Sequence, residues 1–144
     1  MMRPLLSACA MLAALIVWTV LPSAALAQKG ETNTGGQETS EVRGDLVEAF
    51  LNSLPATFQV DGLNADGTSY SGTAQMSYNT ASMTASITWQ IGADTFSGQG
   101  PLENGRFVID WGDATPVIYT VNPDLSLTGS WAGGAASETL TSIP

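Results

Sequence analysis

"MTASITWQIGADTFSGQGPLENGRFVIDWG", residues 83–112, alternates apolar and polar side chains along successive short runs. Met83, Ala85, Ile87, Trp89 and Ile91 share one parity, and Phe107, Ile109 and Trp111 repeat the pattern further on. A period of two belongs to an extended backbone with one buried face, because successive side chains leave it on opposite sides. Glu103-Asn104-Gly105 separates two of the runs with residues suited to a tight turn.

The same rhythm extends in both directions, from Ala56 to Ile143, with turn residues about every ten positions. Strands are expected near Thr57–Leu63, Thr68–Tyr78, Met83–Ile91, Asp94–Leu102, Arg106–Trp111, Pro116–Val121, Ser126–Trp131 and Ser137–Ile143. Val117, Tyr119 and Val121 join the residues named above in the expected core. The fold class is therefore all-β: a small antiparallel up-and-down barrel or curled sandwich of about eight strands with one short N-terminal helix. Gly72, Gly98 and Gly129 each follow Ser or Thr inside a strand. Strand glycines mark tight bending or a large neighbour, so Trp or Tyr rings are expected over them.

"DGLNADGTSYSG", Asp61 to Gly72, resembles the start of a calcium loop. Counted from Asp61, however, the third position is Leu63 and the twelfth Gly72, so the required ligand spacing fails. Asn64-Ala65-Asp66-Gly67 is expected to be a hairpin connection.

Upstream, Leu46, Val47, Phe50, Leu51 and Leu54 form one helical stripe in "GDLVEAFLNSLP". The expected helix spans 45–54, capped by Asp45 and stopped by Pro55, and covers an open end or edge of the sheet. Residues 28–43 hold almost no apolar groups and are expected to be a disordered tether. The domain reading is a signal peptide over 1–27, that tether, and a single β domain over 44–144.

The signal follows from Arg3, the apolar run Leu5–Leu21 and the small-x-small site Ala25-Leu26-Ala27. It predicts a periplasmic or secreted protein with no stable membrane anchor after cleavage. Leu6-Ser7-Ala8-Cys9 spells a lipoprotein box, but the apolar run continues past Cys9 instead of preceding it, so no lipidation is expected. Cleavage removes the only cysteine and leaves three positive against thirteen negative charges, a net of −10. Nucleic acid and anionic membrane surfaces are poor partners for such a chain.

"TWQIG" (88–92), "VIDWG" (108–112), "VIYTV" (117–121), "LTGSWAGG" (127–134) and "SETL" (137–140) occur in this order. In them the chain resembles a group of small exported bacterial β proteins, largely uncharacterised and sometimes labelled fibronectin-binding. The resemblance covers roughly the last two-thirds of the chain. It implies an extracytoplasmic β domain and carries no catalytic residues across. It also implies a glycine after Asp124, where this chain has Leu125. Separately, Gly129-Ser130-Trp131 is similar to the Gly-x-Trp of lipocalin-like and avidin-like barrels.

The chain contains no histidine, which excludes Ser-His-Asp, Cys-His and His-based zinc chemistry. Lys29, the one lysine, lies in the tether, and no phosphate-cradling loop is present. Paired carboxylates are the remaining catalytic option: Asp110 and Asp113 flank Trp111-Gly112, with Glu103 and Glu138 elsewhere. Asp110 is expected on the solvent face and Asp113 in a turn, so no catalytic residue, metal ligand or cofactor is assigned. Candidate ligand-binding residues are Trp131, Trp111, Trp89 and Tyr119, since aromatic rings offer flat apolar surfaces. Alternation puts Trp89 and Trp111 in the core and leaves Trp131 the most exposed. About 88 residues in eight short strands favour an interior filled by side chains.

The functional expectation is an exported, non-enzymatic binding or envelope-associated interaction module for a protein or small ligand that the residues do not name. A lipocalin-like small-molecule binder and a carboxylate-dependent hydrolase are the alternatives. The first requires a cavity containing Trp131, the second requires Asp110 and another acid converging in a cleft.

Overall fold

The computed structural model describes residues 34–144. The expected signal peptide and residues 28–33 of the expected tether lie outside them. One helix, α1 (Thr34–Asn52), precedes eight strands: β1 (Ala56–Leu63), β2 (Ser69–Asn79), β3 (Thr84–Ile91), β4 (Asp94–Glu103), β5 (Arg106–Ile109), β6 (Val117–Val121), β7 (Leu127–Trp131) and β8 (Ala136–Ile143). Each strand pairs antiparallel with the next, and β8 pairs back onto β1 from Thr57↔Ile143 to Leu63↔Ser137. The sheet is thus a closed up-and-down barrel. Closure gives every strand a neighbour on both sides, whereas an open sandwich would leave edge strands exposed.

Alternation sorts the two faces. Phe58 and Val60, Ala74 and Met76, Ala85 and Ile87, Phe107 and Ile109 all point inward and are buried. Threonine, serine and glutamine occupy most outward positions of β2 and β3, whose burial alternates residue by residue. Met83 departs from its expected inward place. It sits in the β2–β3 turn with φ of 53° and is 61% exposed, so the strand parity never reaches it.

One end of the barrel is stoppered by α1. Phe50 is fully buried, with its ring 6.0 Å from that of Phe58 and 5.7 Å from that of Phe107. Val47 is buried beside it, and Leu46, Leu51 and Leu54 pack against the core. The helix begins well before Asp45, which therefore lies inside it and caps nothing. Residues 34–43, expected as tether, are helical. The stripe from Leu46 onward supplies the burial, and once those turns dock, extending the helix upstream costs only propensity. The last turn closes through Ser53 and Leu54 amides donating to Phe50 and Leu51 carbonyls.

Two hairpins use the same five-residue device. In Asn64–Thr68 and in Asn122–Ser126, the first residue's amide and the last residue's carbonyl pair, and the aspartate at the third place accepts from the amide and hydroxyl of the fifth. The fourth place needs positive φ, met by Gly67 at 83° and by Leu125 at 63°. Leu125 therefore keeps the turn type that glycine would give, and its side chain packs against the core. Asp61, the first residue of the calcium-like stretch, is an exposed strand residue paired with Ser71.

Candidate functional site

The end opposite α1 is not filled. A cavity of about 250 Å³ opens there, in place of the side-chain packing expected from the small strand number. Its floor is built by one row of residues running across five neighbouring strands. Glu138 of β8 is paired directly with Gly62 of β1 and Gly129 of β7. Gly62 is paired in turn with Tyr70 of β2, and Gly129 with Tyr119 of β6. The row therefore reads Tyr70, Gly62, Glu138, Gly129, Tyr119.

The glycines make this row possible. A Cβ at position 62 would sit 2.2 Å from Cζ of Tyr70, and one at 129 would sit 2.5 Å from Cε1 of Tyr119. With hydrogen in those places, each tyrosine ring lies down over its glycine and its hydroxyl reaches the acid on the far side. Tyr70 Oη donates to Glu138 Oε2 at 2.8 Å, and Tyr119 Oη donates to Glu138 Oε1. From the facing wall, Trp89 Nε1 donates to both Tyr119 Oη at 3.0 Å and Glu138 Oε1 at 3.2 Å. Rings held against the wall leave the middle of the lumen open. Of the glycines expected to lie under rings, only Gly129 does so; Gly72 faces the Gln90 carbonyl, and Gly98 faces Ile109 and the Asp110 carbonyl.

Glu138 is only 6% exposed, yet every donor aimed at it is neutral. Burial, and next the charge of Glu138, raise the Tyr70 hydroxyl above its ordinary value of 10.0. The same causes in the same order push Tyr119 well above it. Both therefore remain donors throughout the neutral range.

Above this floor stand aromatic walls set at steep angles to one another. Trp131 Nε1 donates to Tyr70 Oη at 3.1 Å, and the two rings meet edge to face at 6.4 Å. Trp111 meets Trp131 at 5.7 Å and 79°, and Phe96 meets Trp111 at 6.1 Å and 73°. Trp111 Nε1 donates to the Thr115 carbonyl at 3.1 Å, which fixes its ring beyond the end of β5. Asn64, Ile91, Asp94 and Val117 complete the lining.

The four residues expected from sequence thus meet at one place: Trp89, Trp111 and Trp131 line the cavity, and Tyr119 lies beneath it. Trp89 is buried as expected, whereas Trp111 is half-buried wall instead of core. Trp131 is half-buried, and Phe96 at 40% is the exposed ring. Sequence reasoning missed Tyr70, Phe96 and the role of Glu138. The signal was present in β8, where Ala136, Glu138 and Leu140 share a parity and put an acid on an apolar face. Asp110 does not approach Glu138. It is exposed, its carboxylate accepts from the Gly112 amide, and it borders a shallow groove on the outer surface of β3 and β4. Comparison with known protein families, curated proteins and solved structures finds no match to this chain, so its function is read from the geometry of the open end.

Proposed function

We propose that the protein is a non-enzymatic binder of a small organic molecule, held in the open end of the barrel. The observation that carries this reading is the aromatic-walled cavity of about 250 Å³ above a hydrogen-bonded polar floor. Apolar walls with a few converging polar groups are the general build of a ligand site. Its volume falls below the roughly 300–1,000 Å³ of sites for drug-sized molecules, which limits the ligand to a small one. With the export signal read from the sequence, such binding takes place outside the cytoplasm.

Native mass spectrometry of the protein, followed by ¹⁵N NMR titration with a library of small fragments, tests the reading. Fragments are expected to shift the indole signals of Trp89, Trp111 and Trp131 together, and Trp131→Ala to weaken them at least about tenfold, as removal of an aromatic anchor does. A library that moves none of the three indoles would refute it.

A further inference from the structure

We infer that the ligand is a small organic cation carrying an N–H, seated with its nitrogen against Glu138 and its carbon substituents among the rings of Tyr70, Phe96, Trp111 and Trp131. This rests on the cavity being a ligand site and names the chemistry that site selects.

The hydrogen-bond inventory of the cavity supplies the first argument. Every aromatic donor bordering it is already used: Trp89 N–H and Tyr119 O–H on Glu138 Oε1, Tyr70 O–H on Glu138 Oε2, Trp131 N–H on Tyr70, and Trp111 N–H on Thr115. A carboxylate offers about four acceptor positions. Three are filled here, and the one left belongs to Oε2. What the floor retains is acceptor capacity, so a ligand reaching it must bring a donor.

Charge is the second argument. The two ionisable acids lining the cavity are Glu138 and Asp94. Among the described residues the cations are Arg43 and Arg106, and both belong to the other end: Arg43 lies against Gly105 in the β4–β5 turn, and Arg106 starts β5 beside that turn. A buried carboxylate held only by neutral donors is satisfied further by a positive group, because burial strengthens the attraction. Anionic ligands are repelled by the same field.

The walls are the third. Four rings meeting at interplanar angles of 63–79° surround the cavity on several sides. A ring face is the negative part of its quadrupole, and rings arranged as a box are the recurrent receptor for alkylammonium groups. Trp, the best such ring, supplies two of the four.

Benzylammonium, benzyl alcohol and benzoate share one ring and differ in charge, so ¹⁵N NMR titration of the full chain with the three at neutral pH tests the inference. Benzylammonium is expected to bind about tenfold or more tightly than benzyl alcohol, the scale of a desolvated cation–π contact added to a charged hydrogen bond. Benzoate is expected to bind more weakly than either. Glu138→Gln removes the charge and should cut the ratio of ammonium to alcohol affinity to near one, whatever happens to the two affinities separately. Trp111→Leu removes a wall whose own N–H bonds the Thr115 carbonyl and not Glu138 or its donors, and should weaken the ammonium severalfold even if the Gln variant folds poorly. Equal or tighter binding of the alcohol or benzoate to the unaltered chain overturns the cation while leaving the cavity a ligand site. An unchanged ammonium affinity in Trp111→Leu overturns the box. Failure of all three probes to move any cavity indole removes both readings.

Discussion

Gly62 and Gly129 separate Glu138 from its two tyrosines, and both positions are intolerant of a methyl group for the same reason. Alanine at either place must push an aromatic ring off the sheet and lengthen the hydrogen bond that its hydroxyl makes to the acid. Overpacking costs about 1–3 kcal/mol and an unsatisfied buried acceptor about as much again. We therefore expect Gly129→Ala to lower stability by about 3 kcal/mol in urea denaturation. Gly62→Ala should fall somewhat short of that, since Tyr70 is half-buried and its ring has more room to move. The same network dictates behaviour in alkali. Tyr70 and Tyr119 have raised values in the folded protein, so folding retains protons that the unfolded chain has lost. Their contribution is complete below about pH 10 and diminishes as pH rises beyond it. Urea midpoints measured from pH 8 to 11 should fall at the upper end, and Tyr119→Phe should flatten that fall.

At the scale of elements, α1 divides into a part that holds the barrel and a part that does not. Phe50 is fully buried between Phe58 and Phe107, so Phe50→Ala should cost about 3–5 kcal/mol by leaving a cavity under the helix. Thr39 to Asp45 are exposed, with Arg43 lying against Gly105 of the β4–β5 turn. Amide exchange is expected to be fast from 39 to 44 and to slow sharply from Val47 to Asn52, because only the docked turns share the stability of the barrel. This division explains what could be read in advance. Strands β1 to β8 and the buried face of the helix were legible because burial imposes a period of two or of 3.6 on the residues themselves. The start of α1 was not, since Thr39 to Asp45 are exposed and carry no apolar stripe from which a period of 3.6 could be read. Met83 shows the complementary error, where an apolar residue continues a pattern past the end of its strand into a turn.

For the whole molecule, closure decides the site. Tyr70, Glu138 and Tyr119 come from β2, β8 and β6, and their convergence depends on the β1–β8 register that joins the two ends of the sheet. A single sequence reveals which residues face inward but not which rows they share, so Trp89, Trp111, Trp131 and Tyr119 were visible as rings and Glu138 as an acid, while the hydrogen bonds joining Glu138 to Tyr70, Trp89 and Tyr119 were not.

Because β1 completes its pairing only with β8, the first strand made must wait for the last. Thr57 finds Ile143 across nearly the whole length of the β domain, and during synthesis from the N-terminus β1 keeps one edge open until Ala136–Ile143 has emerged. Closure of the barrel must therefore follow synthesis of β8, and contacts so far apart make it slow compared with folding of a helical domain of this size. A chain ending before Ala136 should show the consequence directly: with both edges of the sheet unpaired and Glu138 missing from its row, it is expected to elute as aggregates in size-exclusion chromatography, whereas the full chain elutes as a discrete species.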